Sequence, residues 1–269
     1  KVFAACISSV STCNDLGMVV TPNVFGQFLA LTRLSAINSS NSNVQHEVAK
    51  LACGLVASVL LLQGPQNSLT NDTASPALRF LERASHLVAA EDKHCFTSVQ
   101  NDQPSNLLSR FPTHKMCFVG QPGCNLAFDL CALQARLLCS VAWQVEYGRI
   151  LPSVFGKILV MPPSNAVGMT MVLFASFGDA VCRLTTPWLH NRHGRDLVVD
   201  GVLLEKSDIE MQIGQLISLV LPLLKTILLA DQEPPATPHS HEKEDVMPRM
   251  VVLRALALEF VAFVISSMD

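Results

Sequence analysis

Two histidines three residues apart, His190 and His193, stand in the most polar stretch of the chain, beside Arg192, Arg195 and Asp196. Imidazoles at that spacing can share a zinc ion when thiol or carboxylate ligands converge on it, and Cys182 and Asp196 are the candidates. A solvated loop that happens to contain histidines outweighs a metal centre. Of the functional readings we favour the one in which His190, Arg192, His193 and Arg195 meet an acidic protein partner. Cys117, Cys124, Cys131 and Cys139 recur at intervals of seven, seven and eight residues. Zinc sites use a tight cysteine pair, which is absent here, so these thiols are expected to pack as small apolar groups.

The remaining chemistry is thinner. His239-Ser240-His241-Glu242 and Glu244-Asp245 form a short His/acidic tract in a proline-rich linker, where any affinity for divalent cations would be weak and incidental. His94 and Cys95 are adjacent, which on a helix points their side chains in different directions. The chain carries no nucleophile elbow, P-loop, dinucleotide fingerprint or HExxH helix. We therefore expect no enzyme, no cofactor and no resident metal.

Composition narrows the class. Charged residues make up 15% of the 269, against roughly 25% in an average soluble domain. A shortage of charge implies surface that another protein, or more of its own chain, keeps dry. The net charge is -3 with no basic run, so a groove tracking nucleic-acid phosphates is not expected. The nine cysteines are odd in number and sit mostly in apolar helical patterns, which favours a reducing compartment, cytoplasm or nucleus. The longest uncharged runs, Ile158 to Gly178 and Ile213 to Leu224, are interrupted by Pro162-Pro163 and by Gly214 and Pro222. Neither supplies the roughly 20 unbroken apolar residues of a membrane crossing, and a soluble protein is expected. The start at Lys1 and a last helical pattern running into Met268-Asp269 suggest a segment of a larger protein.

The elements that must position these residues are helices. Apolar spacing predicts a short helix over Val2–Val10 and another through Val24, Phe28, Leu31 and Leu34 after Thr21-Pro22. Ser42 and Gln45 form a capping box for a helix over Val44–Leu62, which Gln63-Gly64-Pro65 should stop. Ser75-Pro76 opens the next helix, with Leu78, Phe80, Leu81, Leu87 and Val88 inward and Glu82 on the polar face. Residues 92–123 lose periodicity and read as a long loop excursion. Asn125–Tyr147 is apolar on nearly every side and is expected to be one central helix, with Asp129, Arg136, Ser140 and Gln144 in a narrow polar row.

Gly148 and Pro152 predict a turn into Val154–Val160, and a helix should run from Ala166 to about Leu184 before Thr185-Thr186-Pro187 ends it. Asp200-Gly201 between two apolar triplets, within Leu197–Leu204, signals at most one short β-hairpin-like turn. Ser207 and Glu210 cap a helix kinked at Pro222, residues 232–246 read as a disordered linker, and Pro248 starts a last helix whose apolar positions run from Val251 to Val264.

The pair Val24–Leu34 and Val44–Leu62, joined by the polar turn Asn38-Ser39-Ser40-Asn41, resembles the antiparallel hairpins of the armadillo/HEAT class of α-solenoid. The resemblance is one of architecture. It implies an all-α chain, a single domain over residues 1–269, stacked as an irregular solenoid or helical bundle. It also implies a non-enzymatic scaffold holding protein partners within a larger complex. Trp188, Phe111, Phe118 and Phe263, with the basic group at 190–195, are the expected partner-binding residues. The alternative is a helical module that binds a lipid or apolar ligand or lies on a membrane surface, prompted by the apolar runs Ile213–Leu229 and Met250–Ile265.

Overall fold

The computed structural model describes residues 27, 42–65, 77–78, 80–82, 84–85, 122–190, 197–199, 202–204, 206–229 and 249–268. The expected helix over 2–10, that around 24–34 apart from residue 27, the excursion up to residue 121 and the 232–246 linker lie outside the described residues. The architecture is all-α. Its helices are α1 (Ser42–Gln63), α2 (Pro122–Leu138), α3 (Val141–Val160), α4 (Pro163–His190), α5 (Lys206–Leu229) and α6 (Arg249–Met268). The described positions between 77 and 85 are helical as well. Two three-residue strands, β1 (Leu197–Val199) and β2 (Val202–Leu204), pair antiparallel with Leu197 opposite Leu204.

α1 ends where expected. Gly64 takes a positive φ of 71° and its N–H donates to Leu60 O at 2.9 Å, closing the helix with a left-handed cap that glycine adopts without strain. Three other boundaries differ from the expectation. The stretch Asn125–Tyr147 is not one helix: it breaks at Cys139-Ser140, where Ser140 turns extended (φ -101°, ψ 128°). The break is held by Ser140 N–H donating to Leu137 O at 2.9 Å, and by the Gln144 side chain reaching back to Leu138 O at 2.7 Å. Gln144 is thus buried as a cap at a break instead of lying in a narrow polar row along one continuous helix.

The turn expected at Gly148–Pro152 is also absent, since α3 runs through Pro152, as α5 runs through Pro222. Both prolines are exposed, and each lacks the N–H that would otherwise bond the carbonyl one turn before it, at Gly148 and at Ser218. α4 likewise continues past Thr185-Thr186-Pro187 to His190.

The central element is α4, which touches α2, α3, α5, α6 and β1. From Ala166 to Thr185 nearly every side chain is buried. Its polar residues survive burial by bonding within their own helix: Thr170 to Ala166 O, Ser176 to Val172 O and Thr185 to Val181 O, all between 2.8 and 3.0 Å.

The neighbours of α4 fix the directions of the helices. Cys131 Sγ faces Val172 O at 4.0 Å and Cys139 Sγ faces Ala180 O at 3.8 Å, the same 41-residue offset, so α2 and α4 run parallel. α6 is parallel to α4 too: Phe174 stacks on Phe260 with ring centroids 4.7 Å apart, Gly178 meets Phe263, and Cys182 meets Ser267. α3 returns antiparallel between them, with Tyr147 bonded to Gln134 of α2 and packed edge-on against Phe177 of α4.

Two rows result. In one, α1 packs on α2, α2 on α4 and α4 on α6; in the other, α3 packs on α5, and a Lys157–Glu82 ion pair of 3.3 Å sets the 77–85 segment beside α3. The end of α1 lies level with the start of α3, where Trp143 Nε1 donates to Leu60 O at 3.1 Å.

Candidate functional site

Buried polar side chains come first, because burial without purpose is costly. Tyr147 is fully enclosed, and that burial, with a smaller contribution from Cys131, pushes its hydroxyl far above the ordinary phenol range. It stays neutral and donates to Gln134 Oε1 at 3.4 Å. Among the described residues Gln134 Nε2 and Gln144 Oε1 find no hydrogen-bond partner. The group ties α2 to α3 at the hairpin and presents no activated nucleophile or paired carboxylate, so its chemistry is structural.

A second polar group lies at the α4–α6 seam. Asp179 Oδ2 accepts from Arg183 Nε at 3.0 Å, one helical turn on. Burial raises the Asp179 carboxyl above its usual range, and Arg183 only partly offsets the rise. Cys182 between them is pushed up by burial and by Asp179, while a hydrogen bond with Ser267 pulls it back. A thiol held above its usual pKa is a poor nucleophile and a poor metal ligand. Among the described residues no three His, Cys, Asp or Glu side chains come together around a point where a metal could sit. Cys131 and Cys139, expected as packing groups, are buried against α4.

The sequence-expected partner residues fall as follows. Trp188 and His190 occupy the last turn of α4, with helical backbone. Phe111, Phe118, Arg192, His193 and Arg195 lie outside the described residues. Phe263 is half-buried, its ring turned onto Gly178 and into the α4–α6 seam.

What sequence reasoning did not single out is which residues make up the exposed apolar surface of the helices. On α3 and α5 it is mixed: Val141, Val145, Met211 and Leu221 share the outward faces with Arg149, Ser153, Lys157, Glu210, Ser218 and Lys225. On α6 the exposed large residues are Val251, Leu258 and Ile265, seven residues apart, opposite the buried Leu253, Leu256, Ala257, Phe260 and Val264. The signal was available, because α6 is apolar all round, and a helix of that kind at the end of a row must leave one apolar side outward. Three helical windows, Asn165–Thr185, Ser207–Leu229 and Met250–Ser267, are long and apolar enough to cross a membrane. Compared with protein-family models, curated proteins and solved structures, the chain matches none.

Proposed function

We propose that this chain is a non-enzymatic helical scaffold of the armadillo/HEAT-like kind, docking other proteins within a larger complex. The observation that carries the reading is the two-row arrangement. Parallel α2, α4 and α6 stand side by side in one row while α3 and α5 stand in the other. Stacked hairpins of this sort bury a continuous seam between rows and leave long outer faces free for partners. The 41-residue step from α2 to α4 falls within the roughly 40–47 residues of HEAT and armadillo repeats. The step from α4 to α6 is about twice as long because the β1–β2 hairpin and residues 230–248 intervene, which makes the stack irregular. We place partner docking on the outer face of α3 and α5, where apolar groups are interspersed with charge as in the rim and core of a protein interface.

Quantitative affinity purification of the full chain, compared with the Val145→Glu and Leu221→Glu variants, tests this. Both positions are exposed, so the variants should fold and lose a common set of co-purifying proteins. Identical partner sets for wild type and both variants would contradict it.

A second reading, attachment to a membrane or an apolar ligand, draws on the three long apolar helices. It competes poorly for α5, whose outward face carries Glu210, Ser218, Lys225 and Thr226. In hydrocarbon a charge at mid-depth costs about 2.5–3.5 kcal/mol, and these two, nearer the ends of α5, would each cost less. Flotation of the purified chain with phosphatidylcholine vesicles separates the readings. The scaffold stays in the aqueous fraction, and recovery of the protein with the vesicles would favour the second.

A further inference from the structure

We infer that the partner docked on α3 and α5 brings two neutral hydrogen-bond donors, asparagine or glutamine side chains, to the backbone carbonyls of Gly148 and Ser218. The inference rests on the docking reading above and specifies its chemistry. Proline is the least favourable residue inside a helix, having no N–H for the carbonyl four residues back. Pro152 in α3 leaves Gly148 O without its usual donor, and Pro222 in α5 does the same to Ser218 O. The two positions come together. A Cβ on Gly148 would lie 3.3 Å from Leu219 Cδ2, so the residue next to Ser218 packs on Gly148 itself. Both carbonyls therefore belong to one level of the α3–α5 surface, on adjoining helices of a kind whose axes lie about 8–10 Å apart. Pro152, Ser218 and Pro222 are exposed, and Gly148 is half-buried.

Water serves a carbonyl at an exposed turn, and a partner that displaces the water must replace its bond. Val145, 56% exposed, stands one turn before Gly148, and Leu221, 39% exposed, one turn after Ser218. A partner seated on those two apolar groups dries the carbonyls between them. Left without donors there, the carbonyls would cancel much of what the apolar contact contributes. A partner face of aliphatic groups alone is thereby rejected. The neighbouring charges select the kind of donor. Arg149, beside Gly148, is 65% exposed and only 3.7 Å from Glu146, and Lys225 is exposed one turn beyond Leu221. Both repel a lysine or arginine of the partner. A primary amide offers two N–H groups and carries no charge.

The test replaces the prolines. Pro152→Ala and Pro222→Ala each restore an N–H to the turn, so that the carbonyl is bonded within its own helix. The full chain and its variants are immobilised in a cell extract, and the readout is the difference in retained proteins between variants. Each proline variant should show a raised urea midpoint and undiminished helical circular dichroism. Each should nevertheless retain at least about fivefold less of the proteins that Val145→Glu and Leu221→Glu lose, because the partner's donors are left buried and unpaired. Retention unchanged in both proline variants but lost in the two glutamate variants overturns the inference and leaves docking on this face standing. Retention unchanged in all four overturns both. A lowered urea midpoint in the proline variants overturns the inference too, since the carbonyls would then have had no bond to gain. In the partner most depleted, the segment protected from hydrogen exchange by the wild-type chain should contain asparagine or glutamine; a segment with neither overturns it.

Discussion

Asp179 shows how a single buried charge sets a pH response. Its pKa in the folded chain lies above that of the unfolded chain, with burial as the main cause. The folded state therefore holds the proton more tightly. The contribution of Asp179 to stability is greatest below the ordinary carboxylate pKa and falls as pH rises through the raised folded value. Urea unfolding of wild type and Asp179→Asn should agree within about 1 kcal/mol at pH 7, where desolvation and the Arg183 pair oppose each other. As pH falls toward 4, wild type should gain relative to the variant; a relative loss would contradict the assignment. At this scale the sequence was partly legible. Cys131 and Cys139 pack as their apolar surroundings suggested. Gln144 did not follow its helical position, because its role depends on a chain break that periodicity does not register.

Helices were legible where their ends carry distinctive residues. Gly64 stopped α1 because glycine alone accepts its backbone conformation cheaply, and the two apolar triplets flagged as hairpin-like pair as strands. The break at Cys139-Ser140 had no glycine or proline to mark it, being set by α3 folding back onto α2 and α4. Conversely, Pro152 looked like a break and is not, since it faces solvent, whereas Pro222 lies inside one helix as expected. Glycines test the seams between elements. A Cβ built on Gly178 would lie 3.1 Å from Phe263 Cε1, while one on Gly214 meets nothing within 4 Å. Both are helical, so alanine brings an intrinsic gain of up to about 1 kcal/mol at each. Gly214→Ala should show that gain in urea unfolding. Gly178→Ala should lose it, and more, to displacement of Phe263 from the α4–α6 seam. Equal stabilisation at both sites would mean that α6 does not pack on α4 so closely.

Across the whole molecule, the organising helix is α4 and not the 125–147 stretch, because burial depends on position in the rows as well as on sequence. Both stretches are apolar nearly all round, yet only α4 is enclosed by α2, α3, α5 and α6 together. The all-α class followed from periodicity; the order of the rows did not, since it rests on contacts between residues 41 to 86 positions apart. The partner face was legible only as a shortage of charge, with no address. Our central claim is that these helices are kept dry by one another and by protein. Amide hydrogen exchange of the purified full chain in lipid-free buffer tests it most directly. We expect residues 166–185 of α4 to be the slowest to exchange, with the inward amides of α5 and α6 also protected. Rapid exchange throughout α5 and α6, converted to protection only when phosphatidylcholine vesicles are added, would contradict the claim.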